Sequence, residues 1–180
     1  MFAGSEWRLV AGLIFSALLV VACGTDMRWR RIPNWLVLLL ALSGLVFSAL
    51  ADPVLPGVGR SLGGFAVGFA IWILFHLAGG LGAGDVKLFA AASAWLGPTG
   101  ALRASLVAAL VGGVLALITL LIQRRVREGV ERVAMTVSTM SLAPLGKADP
   151  GSDKMHHLPY GVALSCGALL TAWIPRILAN

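Results

Sequence analysis

Eight acidic side chains occur in 180 residues, and two of them stand where a carboxylate is hard to place. Asp26 follows the first apolar run and Asp85 precedes the fourth, each against an apolar stretch rather than in a polar loop. An ionisable group at the margin of hydrocarbon is costly unless paired or hydrated, which makes it a candidate for function. Two carboxyls sharing one site do not both ionise easily, so one keeps a proton and serves as acid while the other activates water. That chemistry is hydrolysis without a covalent intermediate. Acid–base help of this kind contributes about 10² to 10⁴-fold, and substrate positioning and oxyanion stabilisation supply the rest. Acid and base are not assigned individually, because coupled carboxyls titrate as a pair.

Asp85 has the sharper surroundings, Gly82-Ala83-Gly84-Asp85-Val86-Lys87. Glycines at 82 and 84 admit positive φ and let another backbone come close, which suits a surface holding an extended peptide beside a carboxyl. The same pattern fits a helix N-cap at Asp85. Asp26, near Arg28, Arg30 and Arg31, also fits an ordinary polar span end. Lys87 lies two positions after Asp85, so the two do not share a helix face; it either snorkels to the interface or meets substrate carbonyls. His156 and His157 read as loop histidines with no third ligand, so no metal or other cofactor is expected. Cys23 and Cys166 form no C-x-x-C pair and read as small buried hydrophobes.

The elements that must position these residues are membrane helices. Of the chain, 58% is hydrophobic and 12% charged, about half the charged share of a soluble domain. Apolar runs cover Leu9 to Cys23, Trp35 to Ala51, Leu62 to Leu81, Val86 to Leu96, Leu102 to Ile122 and Leu158 to Ile177. A crossing takes roughly 20 apolar residues, so the expectation is an all-α polytopic bundle of about six transmembrane helices forming one domain, 1–180. The fourth run is short enough to be re-entrant. Proline and glycine mark the breaks: Ile32-Pro33-Asn34, Asp52 to Gly57, Gly79 to Gly84, and Gly97-Pro98-Thr99-Gly100. The long polar segment 123–157 reads as a loop with an amphipathic start. Tryptophans 7, 29, 35, 72, 95 and 173 mostly sit near span ends, as interface anchors do.

The net charge of +6 is a matter of topology rather than of nucleic-acid binding. With six spans, one side receives Arg28, Arg30, Arg31, Lys87 and the six basic residues of 123–157, and the other receives Arg8, Arg60, Arg103 and Arg176. Cytoplasmic loops retain Lys and Arg, so both aspartates are expected at the cytoplasmic face and both termini outside.

Three motifs occur in order along the chain: Asp26 with Ile32-Pro33-Asn34, then Gly82-Ala83-Gly84-Asp85 with Lys87, then Pro159-Tyr160-Gly161. Together they resemble the type IV prepilin peptidases, a family of membrane aspartic proteases. The resemblance implies that Asp26 and Asp85 are the catalytic pair. It further implies that Gly82, Gly84, Lys87, Pro33, Asn34, Pro159, Tyr160 and Gly161 belong to motifs that position substrate. The implied partner is a type IV prepilin or pseudopilin precursor in membrane lipid, cleaved at the cytoplasmic face of the bacterial inner membrane. Paired C-x-x-C motifs, associated with methyl transfer in the larger members, do not occur, so the chain resembles the short peptidase-only branch that serves tight-adherence (Flp-type) pili. From the residues alone a small transporter or an assembly subunit stays an alternative; a transporter would place its ionisable groups in mid-span.

Overall fold

The computed structural model describes residues 6–29, 32–77, 81–122 and 160–177. All the elements there are helices: α1 (Glu6–Trp29), α2 (Asn34–Ala51), α3 (Val54–Leu77), α4 (Ala83–Ile122) and α5 (Tyr160–Ile177). Helices α1 to α4 are long and apolar enough to cross a bilayer, and α5 carries a shorter apolar stretch, Gly161–Trp173. Outward faces carry Leu and Val, with Leu55 and Leu110 more than two-thirds exposed, as lipid-facing surface requires. The chain is an all-α, multi-pass membrane protein. Arg30, Arg31, Pro159, the two loop histidines and the segment 123–157 lie outside the described residues.

Helix α4 is not a straight rod. Gly97 adopts φ 74° and ψ 176° inside it, a conformation essentially reserved for glycine, and Pro98 follows with no N–H to give. The indole of Trp72 touches the ring of Phe89 at 5.4 Å and donates to Ser105 Oγ at 3.2 Å. Phe89 and Ser105 lie eight residues either side of Gly97, and a straight helix would hold them about 24 Å apart. Chain direction therefore reverses at Gly97, and α4 is a hairpin of two arms, 83–96 and 98–122. The fourth and fifth apolar runs are separate helical segments. The first arm is only about 21 Å long, against a hydrocarbon core of roughly 30 Å.

That short arm is the centre of the molecule. Every residue from 88 to 97 is buried, as befits a helix that is apolar all round. It rests on small residues of α3, where Gly64 and Gly68 lead to Trp72, while Gly57 at the start of α3 closes on Ser48 and Ala49 of α2. A Cβ at Gly64 would strike the Ser93 carbonyl and Gly97, and one at Gly68 would strike the Ser93 side chain. Small residues let helix backbones approach closely where lipid supplies no hydrophobic drive between helices. For this reason α3 starts at Val54, eight residues before the apolar run at Leu62. Glycines that resemble loop punctuation are packing surface, and only Asp52 and Pro53 lie outside helix there. Helix α1 also outruns its apolar core at both ends, so Asp26 lies on the helix rather than beyond it.

Three tryptophans depart from the interface role. Trp95 is buried and stacks on Phe47 at 5.0 Å, with Nε1–H donating to the Leu40 carbonyl at 2.8 Å. Trp72 is also buried, and Trp173 Nε1–H reaches Ser16 Oγ at 3.2 Å. Each indole finds an internal acceptor, which hydropathy alone does not reveal. Trp7, Trp29 and Trp35 are exposed.

Candidate active site

Asp26 lies one turn before the end of α1, half-buried. Its neighbour Thr25 is buried and donates to the Ala22 carbonyl at 2.9 Å, holding this last stretch of helix in register. The carboxyl faces the start of α5, where the Gly161 N–H donates to it. Gly161 is the second residue of α5, one of the positions whose N–H has no acceptor within its own helix. A helix N-terminus of this kind favours a negative group. A Cβ at 161 would stand 2.6 Å from Asp26 Oδ2 and 3.1 Å from Cγ. The glycine of Pro159-Tyr160-Gly161 thus leaves the space that the carboxyl fills.

Asp85 enters the bundle on the first turn of α4. The N–H groups of Asp85 and Val86 both donate to the Gly82 carbonyl, at 3.1 and 3.3 Å. Gly82 is therefore the N-cap and Asp85 stands three positions inside the helix, in place of the cap expected at Asp85 itself. Its carboxyl turns back toward the cap: a Cβ at Gly82 would lie 3.2 Å from Oδ2. Neither Gly82 nor Gly84 has positive φ, and among the described residues Gly97 alone does. These two glycines act through their missing side chains, not through unusual backbone. Gly84 faces Ile32, whose Cβ would lie 3.8 Å from a Cβ at 84. The turn after Asp26 and the loop before Asp85 therefore pack together. Pro33 in that turn caps α2, its carbonyl accepting from Leu36 and Val37, and Asn34 is exposed at the start of α2.

Both aspartates occupy one end of the bundle. Lys87 and Arg28 are exposed at that end, and Gly82 and Ala83 are exposed beside Asp85. Arg8, Arg60 and Arg103 gather at the opposite end, so the sorting of these five basic residues into two groups holds in three dimensions. Tyr160 opens α5. Cys23 and Cys166 are half-buried free thiols that approach each other between α1 and α5. Among the described residues no three His, Cys, Asp or Glu side chains cluster.

One residue near the site is not singled out by the sequence. His76, near the end of α3, donates from Nδ1 to the Leu81 carbonyl at 2.8 Å, which pins the residue before Gly82. A lone histidine at a span end carries no motif, and its use depends on where α3 meets the loop.

Fold and site define a multi-pass helical membrane protein with two carboxyls held at one end, each beside a glycine. Residues 13–117, which include both aspartates, match the type IV leader peptidase family, and the chain belongs to that family. It is 37% identical over 129 residues to a prepilin leader peptidase/N-methyltransferase of Xanthomonas campestris pv. campestris, covering 69% of this chain and 45% of that protein. A protein of the same description from Klebsiella pneumoniae is 36% identical over 94 residues, 49% of this chain and 41% of its own length. Another from Escherichia coli K12 is 34% identical over 125 residues, 66% of this chain and 51% of its own. The chain spans about half the length of these relatives or less. No solved structure matches it.

Proposed function

We propose that the chain is a prepilin leader peptidase, an aspartic endopeptidase that removes the leader of a type IV, Flp-like prepilin at the cytoplasmic face of the inner membrane. The observation that carries this reading is the placement of Asp26 and Asp85 at one end of a membrane bundle, where Gly161 N–H holds one and the central buried arm carries the other.

In this reading a water between the two carboxyls loses a proton to one of them and attacks the scissile carbonyl carbon. The other carboxyl supplies the proton that leaves with the new amine. The exposed edge at Gly82 and Ala83 receives the extended segment around the cleavage site, while the prepilin's apolar helix stays in lipid. Arg28 and Lys87 stand on the same end, and the excess of basic residues that the sequence counts on that side supports its cytoplasmic placement. Because Arg28 would repel a basic leader, its service is to topology. The proposal covers hydrolysis; methyl transfer, part of the relatives' description, is not assigned to any residue here.

The test is maturation of a coexpressed prepilin in membranes, followed by mass spectrometry of its N-terminus. Asp26→Asn and Asp85→Asn each remove one acid–base group at constant shape, and cleavage falls at least about 10²-fold while the protein stays inserted at wild-type level. Maturation at the normal rate in either variant sinks the proposal.

A further inference from the structure

The end of the bundle remote from the aspartates holds a pocket that the proposed reaction does not use. Its volume is about 360 Å³, and Arg8, Arg60, Arg103, Thr99, Gly100 and Thr171 line it. Three arginines thus line it, from α1, α3 and the second arm of α4. One of them is already engaged: Arg60 pairs with Asp52 at 2.7 Å and donates to the Trp95 carbonyl at 3.3 Å, an acceptor freed by the reversal at Gly97. Arg8 and Arg103 have no acidic partner among the described residues, so the pocket keeps an excess of two positive charges.

Two further features point the same way. Thr99 and Gly100 lie in the first turn of the second arm, where the break at Gly97 leaves their N–H groups without acceptors in the helix. The Thr171 hydroxyl is buried and has no hydrogen-bond partner, against the general rule that buried polar groups are satisfied. Arginines, helix-start amides and a hydroxyl are the donor set of a phosphate site: the guanidinium fork matches phosphate oxygens, and a helix N-terminus adds oriented N–H groups. Beginning beside Arg103, the second arm shows lipid an exposed stripe of Leu102, Leu106 and Leu110, along which an acyl chain can lie.

We propose that this pocket binds a phosphate group, carried by an anionic phospholipid headgroup or free in solution. Asp26 and Arg8 are eighteen residues apart on α1, about 27 Å, so the site lies at the opposite membrane face from the carboxyls.

The experiment uses the purified full chain in detergent, and neither arm depends on peptide cleavage. In the lipid arm, native mass spectrometry compares dioleoylphosphatidylglycerol with dioleoylphosphatidylcholine. In the other arm, inorganic phosphate is titrated while thermal melting is followed. The chain should retain phosphatidylglycerol in preference to phosphatidylcholine if a headgroup is the source, or melt higher with phosphate if the free ion is. The double substitution Arg8→Gln with Arg103→Gln weakens whichever response is seen by about tenfold or more, the scale of a lost charge-assisted contact. Arg103→Lys retains most of it. Thr171→Val, which keeps shape and removes the hydroxyl, weakens it several-fold and checks the site independently of surface charge. Unliganded melting of each variant within the wild-type range shows that the fold is kept. Equal retention of both lipids with no response to phosphate overturns the proposal, as does a response undiminished in the double variant.

Discussion

Gly161→Ala isolates how the fold holds Asp26. The new methyl would stand 2.6 Å from Oδ2 and 3.1 Å from Cγ, where non-bonded heavy atoms settle near 3.5 Å or beyond. The carboxyl must retreat by close to 1 Å and loses alignment with the Gly161 N–H. Asp26 is half-buried at the end of a helix, so its side chain yields before the backbone does, and melting changes little. A displacement of about 1 Å at a catalytic group costs up to about 10²-fold, which is about 2.7 kcal/mol of barrier. The assay is cleavage of a purified prepilin by protein in proteoliposomes, with kcat and KM determined separately. A fall in kcat of about 30- to 100-fold with KM nearly unchanged is expected, on the same misplacement scale. Gly24→Ala on the same helix is the control: nothing lies within 4 Å of a Cβ there, so kcat holds and stability is unchanged or rises by about 0.5–1 kcal/mol. Wild-type kcat in Gly161→Ala, or an equal loss in Gly24→Ala, would refute the proposed role of the α5 N-terminus.

Three other substitutions probe the scaffold. His76→Leu removes the donor to the Leu81 carbonyl, and kcat should fall several-fold while the melting midpoint moves by no more than one hydrogen bond's worth, about 1 kcal/mol; an unchanged kcat removes His76 from any positioning role. Gly97→Ala forces φ +74° on a residue with a Cβ and sets that Cβ 2.9 Å from the Arg60 side chain, so thermal unfolding in detergent should show a loss of about 1–3 kcal/mol. Trp95→Phe keeps the stack on Phe47 but loses the bond to the Leu40 carbonyl. That carbonyl still accepts from Ser43 Oγ at 3.0 Å, so the loss in chemical unfolding is held to about 1–2 kcal/mol.

What the sequence determined by itself is whatever local composition encodes. Apolar runs required a helical membrane bundle, because lipid leaves backbone groups no partner outside their own helix. Sorting of Arg8, Arg28, Arg60, Lys87 and Arg103 to the two ends was legible too, since each of these neighbours a span whose position was already readable. Asp26 and Asp85 stood out because the chain has so few acidic residues and these two abut apolar runs, and the motifs around them carried the family. Glycine was where local reading went astray: Asp52 to Gly57 looked like a break, yet α3 begins at Val54 and Gly57 is packing surface against α2, and Gly82 and Gly84 lack the backbone angles their type permits. Only the tertiary structure decided that α4 doubles back at Gly97, that Trp95 belongs to the core, that Gly161 closes on Asp26 from the far end of the chain, and that three arginines from three helices share one pocket. Hydropathy and helical period describe a residue's relation to solvent and to its own turn. Which helix packs against which is settled by how closely small residues let backbones approach, and those contacts join positions with no sequence proximity.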